Sequence, residues 1–149
     1  MREFIKFALV GGSGVFVNMG GLFVLTRYLG MRIEFASPIA IEISILCNFL
    51  LNNAWTFSHR ETNVGFKGRI LRYHLVTALA GVVNYLTLLL LANVFGVLDL
   101  VANLVGIILG TFINFFLNSL WTWRISPDQE DLTDKKPAPV QGFSTEDQK

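Results

Sequence analysis

Charge is what this 149-residue sequence has least of: Asp, Glu, Lys and Arg together supply 15% of it, against 52% hydrophobic residues. Soluble domains carry roughly a quarter charged residues, so the solvent for most of this chain is lipid, as the mean hydropathy of +0.52 also indicates. One cysteine, Cys47, excludes an internal disulfide, and His59 and His74 beside it give no metal-ligand spacing. Gly11-Gly12-Ser13-Gly14 has no following Gly-Lys-Ser/Thr and lies in an apolar run, so it is neither a phosphate-binding loop nor a dinucleotide fingerprint. No nucleophile, base and orienting group occur together, which leaves covalent and acid–base catalysis without a basis; neither an enzyme nor a cofactor is expected. The basic residues lack the fold context of a nucleic-acid binder.

What is present is a duplication. Asn48 to Phe57 reads NFLLNNAWTF, and 66 positions later Asn114 to Trp123 reads NFFLNSLWTW. The same offset pairs Lys6 with Arg72, Phe7 with Tyr73, Asn18 with Asn84, Gly30 with Gly96 and Ala36 with Ala102, without a gap. One unit is written twice, and each unit is a pair of membrane spans.

The spans fall at 7–29, 35–57, 73–95 and 101–123. Each has 23 residues, ~34 Å of helix against a hydrocarbon core of about 30 Å. Five residues, Gly30 to Glu34 and again Gly96 to Leu100, allow only tight turns, while 58–72 is a longer basic loop. Backbone groups in lipid must be satisfied within the segment, so the spans are helices. The expected fold is an all-α transmembrane four-helix bundle of two tandem two-helix repeats in parallel topology. Arg2, Lys6, the loop bases and Arg124 lie on one side, against Arg27 and Arg32 on the other, which predicts both termini in the cytoplasm. Trp55, Trp121, Trp123 and Tyr73 then sit at the cytoplasmic interface as anchors. Residues 1–125 form the membrane domain. From 126 to 149 Pro127, Pro137 and Pro139 mix with acids, and a disordered acidic cytoplasmic tail is expected.

Polar residues inside such spans are the candidates for function. Gly106, Gly110, Asn114 and Asn118 recur every four residues on the fourth span, and Ala40, Ser44, Asn48 and Asn52 match them on the second. Asn18 and Asn84 mark the middles of the first and third. Two readings stand: these asparagines tie helices together by hydrogen bonds, or they line a polar path for a hydroxyl-rich ligand. Glu42 lies ~10 Å below the outer surface by helical rise, where its counterpart is Ile108. It serves either as a titrating acid paired with Arg27 or Arg32, or as a hydrogen bond to a neighbouring helix. Lys6 and Arg72, at equivalent inner ends, are topology signals or receivers of a phosphate, and Arg27 with Arg32 face a departing one outside.

The opening FIKFALVGG, Asn18, and the doubled Asn-Phe-x-x-Asn-x-x-Trp-Thr-aromatic pattern make residues Phe4 to Arg124 resemble the GtrA-like family of four-span bacterial membrane proteins. The resemblance implies translocation of a polyprenyl-phosphate-linked monosaccharide, such as undecaprenyl-phosphate glucose, to the outer leaflet of the bacterial inner membrane. It also implies a membrane glycosyltransferase as partner in cell-envelope polysaccharide glycosylation. Asn18, Asn48, Asn52, Trp55 and Thr56 match the family pattern. Four helices make a thin wall, so a homodimer or higher homo-oligomer is expected. Two further readings remain open: a small proton-coupled exporter of hydrophobic cations using Glu42, and a scaffold that recruits the transferase.

Overall fold

The computed structural model describes residues 1–126, and among them every regular element is helical: α1 Arg2–Arg27, α2 Ile33–Leu51, α3 Phe66–Asn93 and α4 Asp99–Leu117. α2 and α4 run without a break into π-helical turns, Asn52–Thr56 and Asn118–Thr122. With those turns included, four helices are long and apolar enough to cross a membrane. The chain is therefore a multi-pass membrane protein built from two helical hairpins. The tail expected over 126–149 lies outside the described residues except for Ser126, which is nearly buried. Its amide donates to the Glu61 carbonyl at 2.9 Å, and its hydroxyl bonds Asn63 Oδ1 at 2.7 Å.

The duplication is carried into backbone geometry. Gly30 and Gly96 hold φ of 61° and 64°, the left-handed conformation that glycine takes at little cost. Around them the Met31 amide closes onto the Leu25 carbonyl at 3.0 Å, and Val97 onto Leu91 at 3.0 Å. These six-residue closures satisfy carbonyls left over at the ends of α1 and α3 and turn the chain back sharply. Both hairpins thus place their tight turns at one end, here called the turn end. The N-terminus, the 57–65 loop and residue 126 gather at the other, the terminal end.

Two expectations about boundaries need correcting. α1 and α3 begin at Arg2 and Phe66, ahead of the expected 7 and 73, so Lys67, Arg69 and Arg72 stand on α3 and not in a loop. Charge lowers hydropathy but does not interrupt a helix, and long basic side chains reach water from a helical backbone. The second concerns the aromatic anchors. Trp123 is 0% exposed and Tyr73 3%, so neither side chain is open to headgroups as an anchor, whereas Trp55 and Trp121 are 46% and 43% exposed.

Within each hairpin the helices approach closely over small residues. Ser44 Oγ donates to the Gly14 carbonyl at 2.8 Å, and the Gly21 Cα faces Ala40. In the second hairpin Gly106 lies against Asn84 and Gly110 against the Ala80 carbonyl. In lipid such packing depends on dispersion and on close backbone approach, because apolar burial alone gives no advantage over hydrocarbon.

Between hairpins the contact is different in kind and, among the described residues, richest at the terminal end. Phe7, Phe49, Phe57, Tyr73 and Trp123 form one buried cluster, with Ile45, Ile70 and Phe115 packed on it. Phe57 stacks on Trp123 with centroids 4.5 Å apart, Phe49 on Trp123 at 5.8 Å, and Phe4 on Phe112 at 4.8 Å. Offset pairs of this kind each add about 0.5–1.5 kcal/mol beyond burial. Among the described residues, ring contacts and most side-chain hydrogen bonds joining the hairpins arise at this end, while the Glu42–His74 bond lies farther along, towards the middle of α2. Towards the turn end Ile39, Ile43, Leu86 and Ile108 remain exposed.

Candidate functional site

The repeated motif builds the terminal end. In each copy an asparagine and the threonine four residues later lie on consecutive turns. Thr56 Oγ1 donates to Asn52 Oδ1 at 2.8 Å, and Thr122 Oγ1 to Asn118 Oδ1 at 2.7 Å. The backbone there widens, with the Phe57 amide on the Asn52 carbonyl at 2.8 Å and Trp123 on Asn118 at 2.9 Å, the five-residue closure of a π turn. Widening swings Phe57 and Trp123 inward to form the aromatic core. All four polar residues of the two Asn–Thr pairs are 0% exposed.

The amide donors of these asparagines break the symmetry. Asn52 Nδ2 finds the Tyr73 hydroxyl at 3.4 Å. The equivalent of Tyr73 is Phe7, which accepts nothing, so Asn118 Nδ2 turns to its own helix, to the Asn114 carbonyl at 2.9 Å and to Asn114 Oδ1 at 2.7 Å. Asn52 and Asn118 are thus locked inside the protein. Asn18, Asn48, Asn84 and Asn114 are half-buried. Of these, Asn48 Oδ1 and Asn84 Oδ1 are buried without a hydrogen-bond partner. Asn48 lies over Gly14 of α1, and Asn84 over Gly106 of α4. Each carboxamide therefore faces the seam of its own hairpin. They are not repeat equivalents: the asparagine comes from α2 in one hairpin and from α3 in the other.

Lys6 and Arg72 do occupy equivalent environments. Lys6 Nζ reaches the Trp55 carbonyl at 3.4 Å and stands 5.2 Å from its ring centroid; Arg72 Nη1 donates to the Trp121 carbonyl at 2.8 Å, its guanidinium 5.2 Å from that ring. Both indoles lie in the π turns. Among the described residues neither cation has a carboxylate partner.

Glu42 meets neither Arg27 nor Arg32. Arg32 pairs with Glu34 at 3.1 Å and Arg27 stands exposed on the last turn of α1, remote from the other candidates. The partner of Glu42 is His74 on α3, whose Nε2 lies 2.9 Å from Oε1, while Nδ1 lies 2.9 Å from the Ile70 carbonyl. Both ring nitrogens face oxygen acceptors, so the pair is fully hydrogen-bonded when it holds one proton beyond neutral imidazole and carboxylate. Sequence reasoning passed over His74 because it was tested only for metal spacing. Its counterpart is Ala8 and that of Glu42 is Ile108, and this shared departure from the repeat was the available signal.

Arg60 was also missed, having been counted only as a loop charge. Its Nε and Nη2 bind the Glu3 carboxylate at 2.9 and 2.6 Å, and Nη1 donates to the Ser119 and Trp123 carbonyls at 2.8 and 3.2 Å. Stacked 5.0 Å from the centre of Phe57, it ties the start of α1 to carbonyls released by the second π turn. His59 adds a contact to Glu3 at 2.8 Å. Arg69 donates to Asn53 Oδ1 at 2.6 Å, beside Trp123 Nε1 at 3.3 Å.

The family model described as GtrA/DPMS, transmembrane domain, matches residues 6–123. A dolichol-phosphate mannosyltransferase of Pyrococcus furiosus is 38% identical over 119 residues, which is 80% of this chain and 33% of that protein. The chain thus spans about a third of the length of this curated relative, and the family model runs from Lys6 at the first cation to Trp123 in the aromatic core. The match takes in both hairpins and both copies of the motif, and the chain belongs to the GtrA/DPMS transmembrane domain family.

Proposed function

We propose that this chain carries a polyprenyl-phosphate-linked monosaccharide across the membrane, working beside a glycosyltransferase supplied by another polypeptide, and is itself non-catalytic. The observation that carries the reading is that, among the described residues, the ring contacts and side-chain hydrogen bonds between the two hairpins run from the terminal end as far as the Glu42–His74 bond and no farther. A lipid headgroup needs a polar route open sideways, so that its prenyl chain stays in hydrocarbon, and hairpins with exposed Ile39, Ile43, Leu86 and Ile108 beyond their shared contacts would supply one. Moving a charged, hydroxylated headgroup through lipid without such a route is prohibitive. Membership of a family that includes a dolichol-phosphate mannosyltransferase supports the class of lipid.

In this reading the terminal end faces the cytoplasm, because Arg2, Lys6, Arg60, Lys67, Arg69, Arg72 and Arg124 lie there, against Arg27 and Arg32 at the turn end. Asn18, Asn48, Asn84 and Asn114 offer carboxamides to sugar hydroxyls, with the unsatisfied oxygens of Asn48 and Asn84 as acceptors. Asn52 and Asn118 hold the fold instead. A second copy completes the thin wall: Gly11, Gly12, Gly20 and Gly81 have nothing within 4 Å of a Cβ position and leave room for another helix.

The test is reconstitution. Vesicles containing the purified protein expose a labelled polyprenyl-phosphate sugar on both leaflets faster than protein-free vesicles, and Asn48→Ala with Asn84→Ala slows this; equal rates with and without protein refute the proposal. A scaffold reading is favoured by one fact, that the relative named as a mannosyltransferase is three times the length of the matched region. It predicts that a transferase co-purifies and that flipping is absent.

A further inference from the structure

The same small constellation occurs twice at the terminal end, and the fold alone does not account for all of it. Lys6 with Trp55 and Arg72 with Trp121 are 66 positions apart in both members. In each, a cation from the first helix of a hairpin crosses to the π turn of the second, touches the tryptophan carbonyl and stands 5.2 Å from the indole centre. The aromatics next to these in sequence or space, Phe57 and Trp123, are sealed at 1% and 0% exposure, yet both indoles stay nearly half exposed. The cations keep spare donors. Among the described residues Lys6 uses one of its three N–H groups, on a long 3.4 Å contact, and Arg72 one of its five. Other bases in the same layer are engaged: Arg60 by Glu3 and two carbonyls, and Arg69 by Asn53.

A cation with free donors beside an open aromatic face suits a phosphate joined to a pyranose. The phosphate oxygens take the ammonium or guanidinium through charge-assisted hydrogen bonds. The electron-rich face of the indole takes the C–H face of the sugar ring. The adjoining helix surface is apolar: Leu9 and Leu75, one turn further along α1 and α3 on the faces of Lys6 and Arg72, are 60% and 53% exposed. That surface lies where an isoprenoid chain leaves the phosphate for the bilayer.

We propose that each hairpin carries its own headgroup site for a polyprenyl-phosphate-linked hexose, Lys6 with Trp55 in the first and Arg72 with Trp121 in the second. The inference rests on the function proposed above and goes further, placing two equivalent binding sites on one chain, related by the 66-residue repeat. On binding, phosphate replaces the tryptophan carbonyl on each cation, and the carbonyl becomes an acceptor for a sugar hydroxyl. The second site keeps its guanidinium, whose fork grips two phosphate oxygens at once, so it is the tighter of the two.

The experiment uses the full chain in phosphatidylcholine nanodiscs, titrated separately with polyprenyl-phosphate glucose, polyprenyl phosphate and phosphatidylglycerol. Native mass spectrometry counts bound lipid and tryptophan fluorescence follows affinity. Two equivalents of polyprenyl-phosphate glucose bind the wild type, one binds K6Q or R72Q, and none binds the double variant at the same concentration. Each lost charge-assisted contact weakens its site about tenfold to a hundredfold. W55F and W121F bind bare polyprenyl phosphate as wild type does but lose affinity for the glucose-bearing lipid. K6R and R72K restore binding, which separates a lost site from a lost fold. Equal binding of phosphatidylglycerol, or two equivalents on the double variant, overturns the inference and leaves these cations as contacts for bulk anionic lipid. If the wild type flips the sugar lipid while the double variant does so equally well, the site is wrong and the proposed function stands. If the wild type binds no polyprenyl lipid, both fall.

Discussion

Three glycines give a graded test of how the hairpins are built. A Cβ placed on Gly106 comes 2.7 Å from the backbone oxygen of Asn84 and also strikes its carboxamide. Backbone cannot rotate aside, so α4 must retreat by about 0.7 Å to recover the 3.4 Å of ordinary contact. Retreat loosens the Gly110–Ala80 approach one turn away, and overpacking of this kind costs about 1–3 kcal/mol. On Gly14 the three nearest atoms all belong to the Asn48 side chain, which can swing away; Gly14→Ala therefore costs less, about 1 kcal/mol. Gly12 has nothing within 4 Å, and alanine there gains up to about 1 kcal/mol of helix propensity. Thermal unfolding of purified protein in detergent, followed by far-ultraviolet circular dichroism, should rank Gly106→Ala below Gly14→Ala, below wild type, with Gly12→Ala at or above it. A Gly106→Ala protein that melts with the wild type would refute the close α3–α4 approach. A damaging Gly12→Ala would show that the outer face of α1 is not open.

Two further outcomes follow from the terminal end. Thr122→Val keeps the shape of the side chain but strips the donor from Asn118 Oδ1 in a fully buried site, at a cost of about 1–3 kcal/mol; because neither residue reaches the surface, the transport rate per folded molecule should stay unchanged, and a lower rate in folded protein contradicts the structural role. For the Glu42–His74 bond, melting of Glu42→Gln, His74→Gln and the double variant forms a cycle whose coupling should be on the order of 0.5–1 kcal/mol, given that Glu42 is half exposed; strictly additive effects would mean that the two side chains do not tie the hairpins together.

Much of the architecture was legible from periodicity and self-similarity. Apolar runs of bilayer length, glycine at 30 and 96, and the offset of 66 gave four spans in two hairpins, and the hydrogen bonds around both turns repeat at that offset. The helices start at Arg2 and Phe66, ahead of the apolar runs from 7 and 73, because hydropathy registers charge, whereas a helix ends only where its backbone geometry fails. The asparagine stripe was legible as a stripe but not as a location. Spacing puts Asn48 and Asn52 on one face, yet cannot say that four residues separate a half-buried carboxamide from one with no surface at all. That difference arises from the π turn, whose extra residue per turn rotates Phe57 and Trp123 inward over Asn52 and Asn118.

The sequence alone determined the solvent, the number of crossings, the duplication and the chemical kinds of polar residue inside it, because each of these is a one-dimensional property of composition and spacing. Tertiary structure decided which copy of each pair does what. It matched Glu42 with His74, sealed Trp123 while leaving Trp121 open, and set Lys6 and Arg72 against indoles from the other helix of each hairpin. Those pairings join residues 32 or 49 positions apart, and only the way helices pack chooses among the partners that a list of residues allows.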